Sequence, residues 1–168
     1  MNYNKVVIFG ADIMKKILLF LTSLFIMTCA FSQSADFITK MLATEKATFG
    51  QVCYLSAVCQ GLVNEKASET DSFNAIFEQG VITENNKPED FVTYKQAAAI
   101  FSKIWKIDGG LFFRLTKGNS RYAYKQLKND NIIPGNADPS MIPAGTDILN
   151  MFTLGDKKYK TTEQGGTL

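Results

Sequence analysis

Residues 73–104 read FNAIFEQGVITENNKPEDFVTYKQAAAIFSKI, and residues 123–152 read AYKQLKNDNIIPGNADPSMIPAGTDILNMF. Laid over one another, the two stretches share an order: helix, turn, apolar pair, proline-bearing loop, apolar pair, cap, helix. Ile76 meets Leu127, Val81-Ile82 meets Ile132-Ile133, Pro88 meets Pro139, and Phe91-Val92 meets Met141-Ile142, at an offset of 51 that falls to 50 after one loop residue. A partial third copy, TFGQVCYLS at 48–56, overlays TYKQAAAIF at 93–101 with Thr, an aromatic and Gln in register. Such a unit cannot bury its own apolar face, so several must share a core. The apolar pairs after the turns read as very short strands or as extended plugs.

Helical spacing surrounds this repeat. Thr93 to Trp105 places Ala97, Phe101, Ile104 and Trp105 on one face, with Thr93 and Gln96 spaced as a capping box. Thr48 to Leu62 carries Phe49, Val52, Cys53, Ser56 and Cys59 along a face, with Gly61 near its end. Shorter helices are expected over Ala35–Ala43, Ser72–Gln79, Asn119–Asn131 and Ala144–Phe152, with turn-rich loops at 83–90 and 134–143. No linker within 35–153 is long enough to split the chain. The expected fold is all-α: one compact bundle of helix-loop-helix repeats over 35–153, followed by a polar tail over 154–168.

Composition narrows the function. The chain has 168 residues, 46% apolar and 20% charged, which excludes a largely disordered chain and a polytopic membrane protein. A formal charge of +2 offers no basic excess for nucleic acid. Histidine is absent, which removes the commonest general base and metal ligand. No paired-carboxylate motif, GxSxG, HExxH or P-loop occurs, and Asp108 before Gly109-Gly110 reads as a turn residue. The expectation is a protein with no catalytic residues, no cofactor and no metal.

Met14 to Ser32, MKKILLFLTSLFIMTCAFS, has the positive start, apolar run and small-residue end of a secretory signal. The run is short for a bilayer span of ~20 residues. The leader is therefore read as 1–32, cut before Gln33, with 1–13 an extension upstream of an alternative start at Met14. Ile26-Met27-Thr28-Cys29 also resembles a bacterial lipobox, which would place a lipid on Cys29, although Thr28 stands where Gly, Ala or Ser is usual. Beyond the cut the chain carries 15 bases and 15 acids, so no whole-molecule attraction to an acidic surface is expected. Cys53 and Cys59 are not expected to pair. On a helix, six residues rise ~9 Å and point the two side chains apart. Both read as small buried residues.

The unit resembles the S-layer homology module, over about residues 44–153. That family has a helix ending in a Gly-Ile-Ile-like turn, a loop, and a Thr-Arg-Ala-Glu-like cap opening a second helix. Gly80-Val81-Ile82 matches the turn. Thr93-Tyr94-Lys95-Gln96 occupies the cap, with Thr48-Phe49-Gly50-Gln51 as an earlier copy and Pro143-Ala144-Gly145-Thr146 as a degenerate one. The resemblance implies three copies in a pseudo-threefold helical bundle and binding of anionic cell-wall polysaccharide through the cap arginine. Here Tyr94 replaces that arginine, Lys95 takes the alanine position and Gln96 replaces the acid, so fold transfers more readily than glycan binding.

Residues 105–124, WKIDGGLFFRLTKGNSRYAY, have no counterpart in the repeat. They hold the only tryptophan and both arginines of the chain. Leu111, Phe112 and Leu115 are expected to pack inside, with Arg114 and Arg121 pairing surface acids. The candidate binding residues are Thr93, Tyr94, Lys95, Trp105, Arg114, Arg121, Tyr122 and Tyr124. The expected function is an exported, non-catalytic protein of the periplasm or cell envelope that binds an envelope polysaccharide or protein. Its partners exclude nucleic acid, and it meets a membrane only through the leader or a lipid on Cys29. The alternative is a structural subunit of a periplasmic assembly acting through protein contacts.

Overall fold

The structure, a computed structural model, describes residues 32–82, 85–116 and 119–164. Cys29 and the leader up to residue 31 lie outside the described residues. The chain divides into two compact units, residues 1–38 and 39–168. Of the first, only Ser32–Ile38 is described. The fold below is that of the second.

The described chain is all-α. Its helices are α1 (Ser32–Leu42), α2 (Phe49–Cys59), α3 (Glu69–Glu78), α4 (Tyr94–Ile104), α5 (Leu111–Leu115), α6 (Ser120–Asn129) and α7 (Gly145–Gln164). Extended pairing among the described residues is limited to an isolated antiparallel bridge between Thr48 and Phe91. The apolar pairs are plugs: Ile82, Ile132 and Ile133 are buried without forming strands. They join Met41, Val52, Cys53, Ile76, Val92, Phe101, Leu127, Pro143, Ile148 and Met151 in a core drawn from every helix of the unit except α5. Each large aliphatic side chain so buried is worth about 1.5–3 kcal/mol.

The closest helix pairs are α2 with α3 and α4 with α6. Each joins the second helix of one sequence unit to the first helix of the next. Helix α2 is central. Residues 49–57 are all buried, so the single apolar face expected there understates its burial.

Helix starts tie the unit together. The four leading N–H groups of a helix have no intrahelical acceptor. Here the Phe49 and Gly50 N–H groups donate to the carbonyls of Asp90 (2.9 Å) and Pro88 (2.8 Å). The Tyr94 and Lys95 N–H groups donate to Met141 (3.0 Å) and Pro139 (3.1 Å), and the Gly145 N–H donates to Thr44 (2.9 Å). Each of the three starts thus leans on the segment leading into another, and the three links close a ring. Side chains complete the caps. The Thr48 N–H donates to Gln51 Oε1 (3.1 Å), the Thr93 N–H to Gln96 Oε1 (2.9 Å) and the Ala144 N–H to Asp147 Oδ2 (3.1 Å). The third cap is therefore Ala144-Gly145-Thr146-Asp147, one residue later than the sequence overlay has it. The offset of 51 between Pro88 and Pro139 persists through the cap instead of falling to 50.

Helix ends are equally regular. Gly61, Gly80, Lys106 and Asn131 follow α2, α3, α4 and α6 with φ of 68°, 66°, 47° and 59°. After α2, α4 and α6, the next N–H reaches back five residues: Leu62 to Ala57, Ile107 to Ser102 and Ile132 to Leu127. Lysine is the costly choice in this left-handed conformation, at about 1 kcal/mol. Lys106→Gly is expected to stabilise the fold by about that amount, read as a higher urea midpoint with unchanged slope.

Two expectations are corrected. Leu111 and Leu115 do not pack inside: they are 77% and 76% exposed. Helix α5 has only five residues, too short to lay a stripe on the core. Of the tail expected over 154–168, the part up to Gln164 continues α7, with Gly155 buried within it, and residues 165–168 lie outside the described residues. No described helix is long and apolar enough to cross a membrane.

Candidate functional site

The C-terminal end of α4 meets α7 around Trp105. The indole stacks on Phe101 (centroids 5.1 Å apart) and Tyr159 (5.7 Å), and Phe152 tilts against it at 6.2 Å. Helix α7 accommodates the ring because Gly155 has no side chain: a Cβ there would sit 2.0 Å from the indole edge. Trp105 is 7% exposed, and its Nε1–H is buried with no acceptor. A ring covered this way cannot serve as an open platform for a sugar. It is the wall between two depressions.

The first, of about 500 Å3, is lined by Cys59, Lys103, Trp105, Lys106, Tyr159 and Lys160 among others. Lys103 Nζ donates to the Gly80 carbonyl at 3.0 Å, holding the turn after α3. Lys160 Nζ pairs with Asp156 Oδ1 (2.9 Å) and donates to Cys59 Sγ (2.9 Å). The Asp156 and Cys59 hydrogen bonds hold that ammonium above the ordinary lysine range. Cys59 is half-buried, not buried as expected. Cys53 is buried and burial pushes its thiol up to about 12; neither cysteine is bonded to the other. With three lysines on its wall, this depression suits an anionic group.

The second, of about 440 Å3, is lined by Trp105, Lys106, Asp108, Gln126, Asp130, Lys158 and Tyr159 among others. Asp130 is its hub. It pairs with Lys158 Nζ (2.5 Å), and accepts hydrogen bonds from Gln126 Nε2 (2.9 Å) and the Tyr159 hydroxyl. Burial alone would raise the carboxyl, but Lys158, Tyr159 and Gln126 together bring it below the usual range. Burial and the same carboxylate push the Tyr159 hydroxyl up. A carboxylate lowered on folding adds stability above its unfolded value, near 3.9, that is lost as pH falls through the folded value. Asp130→Asn is therefore expected to lower stability at neutral pH and to flatten the acid limb below about pH 4, checked by urea midpoints across pH.

The expected binding residues are dispersed. Thr93 caps α4, its hydroxyl donating to Gln96 Oε1 at 2.6 Å. Tyr94 is buried, and burial with its hydrogen bond to Asp147 raises its hydroxyl. Tyr124 is buried and donates to the Ala137 carbonyl at 2.6 Å. These three are structural. Lys95 is half-buried on the first turn of α4 and, among the described residues, forms no ion pair. Arg114 is exposed and pairs with Asp108 at 2.6 Å. Arg121 is exposed on the first turn of α6, and Tyr122 is half-buried with Lys125 Nζ 5.7 Å from its ring. Of the eight, only Trp105 reaches the paired depressions.

Lys158, Tyr159 and Lys160 lie on the half of α7 beyond the helix expected over Ala144–Phe152, while Lys103 and Lys106 sit either side of Trp105 at the end of α4, where no local pattern marks them. A signal for the longer α7 is present. Ile148, Phe152, Gly155 and Tyr159 fall at i, i+4, i+7 and i+11, one continuous helical face. Among the described residues, no three His, Cys, Asp or Glu side chains are grouped to hold a metal ion. No family model, curated protein or solved structure matches the chain.

Proposed function

We propose that the chain is an exported, non-catalytic protein of the cell envelope whose S-layer-homology-like domain binds an anionic envelope polysaccharide or a protein partner. One observation carries this reading: three capped helix starts, each tied by backbone hydrogen bonds to the segment leading into another, form a closed ring. Repeats that share a core in this way suit a rigid scaffold for binding. The leader-like Met14–Ser32 supports export. The binding surface of this reading is the lysine-lined depression beside Trp105, since Tyr94 at the family's arginine position is buried.

The test is retention of the purified chain on insoluble peptidoglycan and wall-polymer fractions. Retention weakened by Lys106→Glu supports the glycan form. A chain that washes through removes it. A second reading, a structural subunit of a periplasmic assembly, is favoured by the exposure of Phe91 (53%) and Met141 (54%) beside two of the caps. It predicts a partner lost on Phe91→Ser.

A further inference from the structure

We propose that the face formed by α5 and the first turns of α6 docks on a bilayer surface rich in anionic lipid. Leu111 and Leu115 are 77% and 76% exposed, well beyond Leu42 at 57%, the next large apolar side chain among the described residues. At i, i+4 they lie on one face of α5. A face this apolar is not what a solvated surface turn needs.

The surroundings are basic. Leu111 shares a depression of about 230 Å3 with Phe113, Tyr122 and Lys125. Arg121 and Lys125, both exposed, lie at i, i+4 on α6, and Arg114 is exposed on α5. Over residues 111–129 the sequence places five cations, Arg114, Lys117, Arg121, Lys125 and Lys128, and no Asp or Glu. Asp108 is paired with Arg114. All 15 acids of 33–168 lie outside 111–129, so the near-zero net charge conceals a basic stretch of sequence, of which Arg114, Arg121 and Lys125 are exposed.

This combination selects the occupant. A second copy would set the same cations against each other. A hydrated polysaccharide could meet the cations but offers the leucines no apolar phase. An anionic leaflet supplies both: headgroup charge for the cations and an acyl boundary ~5–10 Å deep for the leucines. Each lysine or arginine near such a leaflet adds roughly a fivefold gain in partitioning. The surface is separate from the lysine-lined depression, and its test uses no wall polymer, so the two readings fail independently.

The experiment is co-sedimentation of the full chain with phosphatidylglycerol–phosphatidylcholine vesicles and with phosphatidylcholine vesicles. Any contribution of the leader is common to all variants, so the ratio between variants is the readout. Leu111→Ser with Leu115→Ser is expected to lower partitioning into the anionic vesicles at least tenfold. Arg121→Glu with Lys125→Glu should do the same while leaving binding to phosphatidylcholine unchanged. Unchanged partitioning in either variant overturns the proposal, as does lipid-free self-association abolished by the leucine changes. Hydrogen exchange on the unaltered chain is a check that needs no variant. Amides of 110–125 should slow with anionic vesicles only, and equal rates with both lipids overturn the proposal.

Discussion

Gly145→Ala is expected to destabilise the fold by about 3 kcal/mol, near the top of the range for overpacking. A Cβ at this position would lie 2.0 Å from the Met41 carbonyl oxygen and 2.9 Å from its carbon. Both are backbone atoms, so no rotamer change relieves the clash. Gly145 also donates its N–H to Thr44 at 2.9 Å, and two residues earlier Pro143 accepts from Ala47 at 2.9 Å. Pushing the two segments apart would strain the link that closes the ring of helix starts and leave first-turn donors of α7 unsatisfied. Gly135→Ala is the control: nothing lies within 4 Å of its Cβ, and stability should change by less than about 0.5 kcal/mol. Urea unfolding of both variants decides the matter. Equal midpoints would mean that the approach of Met41 to Gly145 is not a constraint on the fold.

The same ring shows what periodicity can and cannot reveal. Thr48/Gln51 and Thr93/Gln96 are legible because a cap is a local device, written within four residues. The third cap is not legible in this way, because Ala144 has no side-chain oxygen to mark it. Only the Ala144 N–H to Asp147 bond does. Leu111 and Leu115 have the spacing of a core stripe yet stay exposed, since burial belongs to the whole packing and not to the spacing. The full length of α7 is less legible, because its second half is polar along most of its length and Gly155, which makes room for Trp105, has the look of a terminator. The candidate site was the least legible part. Cys59, Lys103, Lys106, Asp130 and Tyr159 come together only when the ends of α2, α4 and α6 meet the far half of α7, and no local pattern encodes that meeting.

Trp105→Ala is expected to cost about 3–5 kcal/mol, the usual range for removing a large buried aromatic. It would empty the space enclosed by Phe101, Phe152 and Tyr159. Trp105→Phe should cost far less, about 1 kcal/mol, because the lost Nε1–H has no acceptor to leave behind. The informative experiment combines the site with Gly155. Gly155→Ala alone must expel the indole, whose edge would lie 2.0–2.5 Å from the new Cβ, and should cost about 2–3 kcal/mol. With Trp105→Ala already present, the added methyl enters a cavity and the alanine improves helix propensity, so the second change should be neutral or favourable. The double-mutant cycle should therefore show a coupling of at least about 2 kcal/mol, within the range for residues in contact. As Trp105 is the sole tryptophan, its emission in the unaltered chain also reads the packing directly: blue-shifted when folded, red-shifted on Gly155→Ala. Additive costs with an unshifted spectrum would mean that α7 does not hold Trp105, and the wall between the two depressions would have to be placed elsewhere.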